Sequence, residues 1–131
     1  MPGPALVPTA PLPAGVLARL TAWAEASGAA VHVGRPGAGR LGAAVGAFAA
    51  GHPAVLLVGS APPPDALLDV AVAELAAPMT AVLGADADGG LAVLGLTEVV
   101  PALLAPAGLG LAEALDLAFA AGLSPVVLPA L

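Results

Sequence analysis

The chain has no cysteine, no tyrosine and no lysine, and only 9% of its 131 residues are charged. Without cysteine, disulfide bonds, thiolate zinc sites and a cysteine nucleophile are excluded. Three arginines against nine acidic residues give a formal net charge of −6, the wrong sign for binding nucleic acid or an anionic membrane surface. The composition therefore predicts neither a nucleic-acid partner nor a membrane partner.

Apolar residues are abundant, at 60% of the chain, with a mean hydropathy of +1.03. Residues 41–64 carry no formal charge, but glycines, His52 and four prolines interrupt any run of the length that spans a bilayer. The first four residues, Met1-Pro2-Gly3-Pro4, lack the basic start and apolar stretch of a signal peptide. We therefore expect a cytoplasmic protein.

The chain length suits one domain. Residues 1–13 contain five prolines, which remove backbone donors, so we expect a Pro-rich mobile tail followed by a single domain over residues 14–131. Within that domain, helical periodicity alternates with short apolar runs, and glycine repeatedly separates the two. The pattern predicts helices over residues 14–28, 41–51, 64–75, 98–105 and 111–121, and strands over residues 31–33, 54–58, 81–83, 91–94 and 125–128.

This alternation is typical of an α/β domain with a largely parallel sheet. Residues 55–58 are apolar throughout, as in a strand that is covered on both faces, so we expect them to form a central strand. We further expect residues 81–83 to form the neighbouring strand.

The segment between residues 82 and 96 is the most informative in the chain. Two apolar runs flank a centre that contains Asp86, Asp88, Gly89 and Gly90, which reads as a strand, a tight turn and a returning strand. Hard divalent cations prefer oxygen ligands, so the two carboxylates are candidate metal ligands. The alternative is an ordinary surface turn built from good turn formers.

Other polar residues carry weaker signals. Ser60 follows a strand but lacks the Gly-x-Ser-x-Gly pattern of a nucleophile elbow. His32 and His52 would need to converge with carboxylates to bind a metal, and hydrogen-bonded loop histidines are the alternative. Residues 34–40 form a Gly-rich segment before a helix, which could bind phosphate or be a flexible loop.

Three elements carry a resemblance to a known family: Asp88-Gly89-Gly90 with Leu94-Gly95-Leu96, the strand that ends in Gly59-Ser60, and Gly39-Arg40-Leu41-Gly42. Together they resemble the glycosyltransferase-like family associated with arsenosugar biosynthesis, a member of the GT-A, nucleotide-diphospho-sugar transferase superfamily. The resemblance implies a three-layer α/β/α GT-A-like fold, mostly parallel with an antiparallel strand pair. It also implies a nucleotide sugar contacted by Ser60, Gly89 and Gly90, with Mg²⁺ or Mn²⁺ on Asp86 and Asp88 if the protein is active.

The sequence departs from that family at its polar positions. Ala61 stands where an Asp ligand is expected, Arg40 replaces an acidic residue, and Leu109-Gly110-Leu111 replaces a Trp-Gly-Thr-like element. The family's N-terminal strand and basic loop have no evident counterpart, which implies that the N-terminal part of the fold is reduced. We therefore expect a catalytically degenerate domain without a cofactor and assign no catalytic residue.

The alternative is a non-catalytic domain for oligomerisation or partner binding, because a small, strongly apolar domain is expected to leave an apolar patch exposed. We expect a homo-oligomer or a complex with another protein. Residues 41–50 or the predicted edge strand at residues 31–33 are the expected contact surfaces.

Overall fold

The computed structural model describes residues 3–9, 12–33, 39–59, 62–86, 88–104 and 109–129. The described residues form six strands, β1 (Ala5–Pro8), β2 (Ala30–Val31), β3 (Val55–Val58), β4 (Thr80–Ala85), β5 (Leu91–Leu96) and β6 (Ser124–Val127). Its helices are α1 (Ala14–Ser27), α2 (Gly39–Ala49), α3 (Asp65–Glu74), α4 (Pro101–Leu104) and α5 (Leu111–Ala120).

The strands form one sheet in the order β2-β1-β3-β5-β4-β6. Strands β1, β2 and β3 pair in parallel, as do β4 and β6. Strand β5 runs antiparallel to both of its neighbours, β3 and β4. The predicted α/β class, with a mostly parallel sheet and one antiparallel strand, is confirmed.

Helices cover both faces of the sheet, which gives three layers. One buried apolar cluster joins α1 and α3 to the face that carries Leu6, Leu56 and Val82. A second cluster joins α2, α4 and α5 to the opposite face, which carries Val7, Leu57 and Leu83. Because β3 contributes to both clusters, all four of its residues are buried, as its unbroken apolar sequence predicts.

The prediction of a mobile tail over residues 1–13 is wrong where the first strand lies. Strand β1 is an interior strand between β2 and β3, and Ala5, Leu6 and Val7 are fully buried. Pro8 does not break the ladder, because it occupies the end of β1 and its register lies beyond the two residue pairs that join β1 to β2. The α/β domain therefore includes β1 and is not confined to residues 14–131.

Two further expectations need correction. Strand β4 does not lie beside β3, because β5 folds back between them and pairs with both. The predicted helix over residues 98–105 is the four-residue α4, which begins only at Pro101. Proline is favoured at the first position of a helix and disfavoured in its interior, and Pro101 occupies that first position. Residue 105, the predicted end, lies outside the described residues.

The edge strand β6 is protected against pairing with another chain. The amide groups of Ser124 and Leu128 donate to Met79 and Leu83, so the alternate position, Pro125, faces away from β4. Proline has no N–H to offer at this outer edge. The other edge strand, β2, is only two residues long. Neither edge presents a long template for strand addition.

In the part of the chain that the structure describes, no helix combines the length and the apolar character needed to cross a bilayer. The longest helix, α1, has 14 residues, which is short of a membrane span.

We predict that Leu6→Ala destabilises the protein by about 2–5 kcal/mol, because it removes a fully buried side chain and leaves a cavity. Leu17→Ala is the matched control, since Leu17 is 39% exposed; its cost should stay below about 1 kcal/mol. Urea unfolding of both variants measures the difference. Equal free energies of unfolding would show that residues 5–8 are not part of the core.

Candidate functional site

A cavity of about 330 Å³ opens at the edge of the sheet where β1, β3 and β4 end and β5 begins. Carboxyl ends of parallel strands are the usual position of ligand sites in open α/β sheets, because loops there are free to carry polar groups. The cavity is lined by Thr9, Arg40, Leu57, Gly59, Asp86, Gly90, Leu91, Leu94 and Leu109.

The loop from Asp86 to Gly90 connects β4 to β5 and is held by the carboxylate of its first residue. Asp86 Oδ1 accepts hydrogen bonds from the backbone N–H of Asp88, at 2.8 Å, and of Gly90, at 2.9 Å. The backbone N–H of Asp86 donates to the carbonyl of Gly90 at 3.0 Å. Gly89 has a φ of +83°, which an L side chain rarely adopts. The predicted strand, turn and returning strand are confirmed.

The two candidate metal ligands in this loop differ in position. Asp86 is half-buried and lines the cavity, whereas Asp88 is exposed and is absent from the cavity lining. Since Asp86 Oδ1 accepts two backbone hydrogen bonds, Oδ2 is its oxygen with no such bond among the described residues. Metal binding at Asp86 and Asp88 stays a prediction, and this arrangement offers a cation few ligands.

The described residues contain no group of three or more His, Cys, Asp or Glu side chains placed to hold a metal ion. A Mg²⁺ or Mn²⁺ ion bound by Asp86 would therefore depend on water and ligand oxygens for most of its coordination. Among the described residues that line the cavity, Asp86 is the carboxylate that could bind such an ion.

The two predicted glycines connect the loop to the start of α5. Gly90 lines the cavity and forms an isolated antiparallel bridge with Gly110. The carbonyl of Gly89 accepts a hydrogen bond from the N–H of Leu111 at 3.1 Å. Ser60, the third predicted cofactor contact, lies outside the described residues, as does Ala61, but Gly59 immediately before them lines the cavity.

Arg40 is a cavity residue whose role the sequence only suggested. It lies in the first turn of α2, and burial lowers the pKa of its guanidinium below the usual value for arginine. A guanidinium stays charged at physiological pH even when its pKa falls. Arg40 also interacts with another group of the protein. The signal in the sequence was an arginine at the end of a Gly-rich segment that opens a helix.

Thr9 is a second cavity residue that the sequence analysis missed, because residues 1–13 were expected to be a tail. It follows β1, and its hydroxyl donates to the carbonyl of Val58 at 2.9 Å. This bond joins the carboxyl ends of β1 and β3 at the mouth of the cavity.

The two histidines converge, although they lie 20 positions apart in the sequence. Their ring centroids are 6.1 Å apart in an edge-to-face arrangement. His52 Nδ1 lies 2.9 Å from the carbonyl oxygen of Gly3, which a protonated Nδ1 can reach as a donor. Neither histidine lines the cavity. The hydrogen bond of His52 fits the alternative that the sequence left open, a hydrogen-bonded loop histidine, and His32 packs against its ring.

The fold is shared with a solved protein structure. The chain superposes on the crystal structure of a "putative nucleotide-diphospho-sugar transferase" from Desulfovibrio desulfuricans G20 with a TM-score of 0.62 and 20% sequence identity. The match covers 95% of this chain and 58% of that one, so this chain spans little more than half the length of its structural neighbour.

The chain belongs to a bacterial family, DUF2064, described as "Uncharacterized protein conserved in bacteria", whose model matches residues 14–107. The matched region includes α1 to α4 and the Asp86–Gly90 loop, but it begins after β1. No curated protein matches the sequence.

We predict that Asp86→Ala loosens the β4–β5 loop, whereas Asp86→Asn preserves it, because the amide oxygen of asparagine can still accept the two backbone hydrogen bonds. The alanine variant should lose about 1–3 kcal/mol of stability, and the amide protons of Asp88 and Gly90 should exchange faster. Chemical unfolding and hydrogen exchange measure both effects. Equal exchange rates in the two variants would contradict this role of Asp86.

Proposed function

We propose that this chain is a glycosyltransferase-like domain of the nucleotide-diphospho-sugar transferase superfamily that has lost metal-dependent glycosyl transfer. The observation that carries the proposal is that one carboxylate oxygen of Asp86 is already bonded within its own loop. The fold places Asp86 at the end of β4, in the cavity.

Glycosyl transfer from a nucleotide diphosphate develops negative charge on the leaving diphosphate, and a divalent cation is an effective way to stabilise that charge. Such a cation is usually held by one or two carboxylates of the protein together with the phosphates of the ligand and water. Here the described residues that line the cavity contain one carboxylate, and one of its oxygens is already bonded to the loop backbone. Position 61 carries a methyl group where the family resemblance leads us to expect an Asp. These features support a degenerate site.

Two segments of this chain resemble the arsenosugar-biosynthesis type of transferase. The Asp88-Gly89-Gly90 and Leu94-Gly95-Leu96 elements, which resemble the arsenosugar-biosynthesis type, form the end of the β4–β5 loop and strand β5. We infer descent from a transferase of that type, with a nucleotide sugar as the ancestral ligand and a cytoplasmic location.

We predict that isothermal titration shows no metal-dependent binding of a nucleotide diphosphate or nucleotide sugar, with either Mg²⁺ or Mn²⁺. The same samples should show no glycosyl transfer or donor hydrolysis. A panel of uridine, guanosine, adenosine and cytidine diphosphates tests the base preference at the same time. Micromolar affinity that appears on adding the cation and disappears with EDTA would overturn the proposed function.

A second candidate function is assembly, and the exposure of two valines favours it. Val33 is 74% exposed and Val45 is 45% exposed. They lie at the end of the segment 31–33 and in helix α2, the two surfaces expected to make contacts. Val31 and Leu41 pack against the core, so they are unsuitable positions for a test. We propose a homodimer formed through Val33 and Val45.

We predict that Val45→Asp converts this dimer to a monomer, because a desolvated carboxylate without a partner is costly at an apolar interface. Val70→Asp is the matched control, since Val70 is 43% exposed but lies on α3, which packs on the opposite face of the sheet. Light scattering at high micromolar concentration gives the masses. A monomer mass for the unmodified chain, or dissociation by Val70→Asp alone, would contradict this surface.

A further inference from the structure

We propose that the cavity binds a small, hydroxylated oxyanion directly through Arg40, without a divalent cation. The oxyanion is a phosphate monoester or a carboxylate, and its hydroxyl groups are held by Asp86. This inference rests on the proposed function, because it assigns a ligand class to the same site once cation-dependent chemistry is absent.

Among the described residues that line the cavity, the positive charge comes from the guanidinium of Arg40. Its partial burial leaves the guanidinium with less water than it would have on the surface, and an oxyanion ligand restores that lost stabilisation through charge-assisted hydrogen bonds. A guanidinium has five N–H donors, so a protein partner and a ligand can be held together.

The negative charge in the cavity comes from the carboxylate of Asp86. Asp86 Oδ1 accepts the two backbone hydrogen bonds of the loop, whereas Oδ2 lies over Gly90. A Cβ atom at Gly90 would stand 2.9 Å from this oxygen, so glycine is what allows the carboxylate to occupy its place. Gly90 and Asp86 both line the cavity. Oδ2 is thus positioned to accept a hydrogen bond from a ligand hydroxyl.

The walls and the volume of the cavity limit the ligands that it can hold. The remaining walls are mostly apolar, from Leu57, Leu91, Leu94 and Leu109. A volume of about 330 Å³ is at the lower end of the range for small-molecule pockets. A small phosphorylated or carboxylated molecule suits this volume better than a complete nucleotide-diphospho-sugar. The combination of one guanidinium, one carboxylate and leucine walls selects a small ligand with both an anionic and a hydroxylated part.

Direct binding by Arg40 and binding through a bridging cation predict opposite effects of Asp86→Asn on ligand affinity. If Arg40 binds the oxyanion directly, Asp86 repels it, and Asp86→Asn should strengthen binding several-fold while the loop is preserved. If a cation bridges Asp86 to the ligand, the same variant should lose binding. Arg40→Gln should weaken direct binding by about tenfold or more, since it removes a charge-assisted contact.

The experiment is isothermal titration of the full chain in EDTA with two probes, inorganic phosphate and glucose 1-phosphate, at millimolar concentration. Arg19→Gln is the matched control, because it makes the same change in net charge, but Arg19 pairs with Asp65 at 2.8 Å and lies outside the cavity lining. Circular dichroism and urea unfolding verify that each variant is folded.

We expect glucose 1-phosphate to bind more tightly than inorganic phosphate, with the loss for Arg40→Gln, the gain for Asp86→Asn and no change for Arg19→Gln. Absence of binding by either probe, with and without Mn²⁺, would overturn this inference while leaving the proposed function intact. Binding that requires Mn²⁺ and is lost in Asp86→Asn would overturn both. An equal loss in Arg40→Gln and Arg19→Gln would reduce the effect to net charge and also overturn the inference.

Discussion

The rest of the structure depends on the burial of the central sheet on both faces. Strand β3 belongs to both apolar clusters, and every one of its residues is buried. A strand in this position cannot carry a polar side chain at low cost, because each face is dry. Chemistry-bearing residues are therefore confined to strand ends, and the cavity lies at such an edge.

Small residues make this double burial possible in a short chain. A Cβ at Gly95 in β5 would stand 3.0 Å from a methyl carbon of Leu56 and 3.0 Å from one of Leu75, so these leucines fill the space that a side chain would take. Alanines on α2 likewise bring that helix onto the opposite face. The high apolar content thus reflects close packing of small residues.

The sequence was most informative where local chemistry decides the structure. Gly28 ends α1 in the left-handed conformation, Pro64 and Asp65 start α3, and the Asp86–Gly90 turn reverses the chain, each as its residue types predict. Local sequence patterns could not predict the position of β5 between β3 and β4, because strand order depends on packing between distant segments. Strand β1 was missed because its prolines suggest an extended tail, whereas burial of Ala5, Leu6 and Val7 places it inside the sheet.

In the candidate site, too, a local motif indicates some residues, whereas others come from distant parts of the chain. Asp86 and Gly90 were identifiable from a short motif, because the turn that requires them also brings them to the cavity. Thr9 and Arg40 reach the same place from β1 and α2, more than 40 residues from the motif in each case. No local pattern contains that convergence. For Thr9 it follows from the parallel pairing of β1 with β3, which places their carboxyl ends at one edge. For Arg40 it follows from the parallel pairing of β1 with β2, the strand that precedes α2.

The charge of the whole chain and the charge of the cavity then act on different length scales. A net charge of −6 repels anions at a distance, but at physiological ionic strength such repulsion is screened beyond about 8 Å. Inside the cavity, the partly desolvated guanidinium of Arg40 is screened much less. The acidic surface therefore slows the approach of an anion without cancelling its contact with Arg40. In this balance Asp86 has two effects: it holds the loop through one oxygen and sets an electrostatic limit on anion affinity through its charge. In the site that we propose, an arginine provides the positive charge that a divalent cation would otherwise supply.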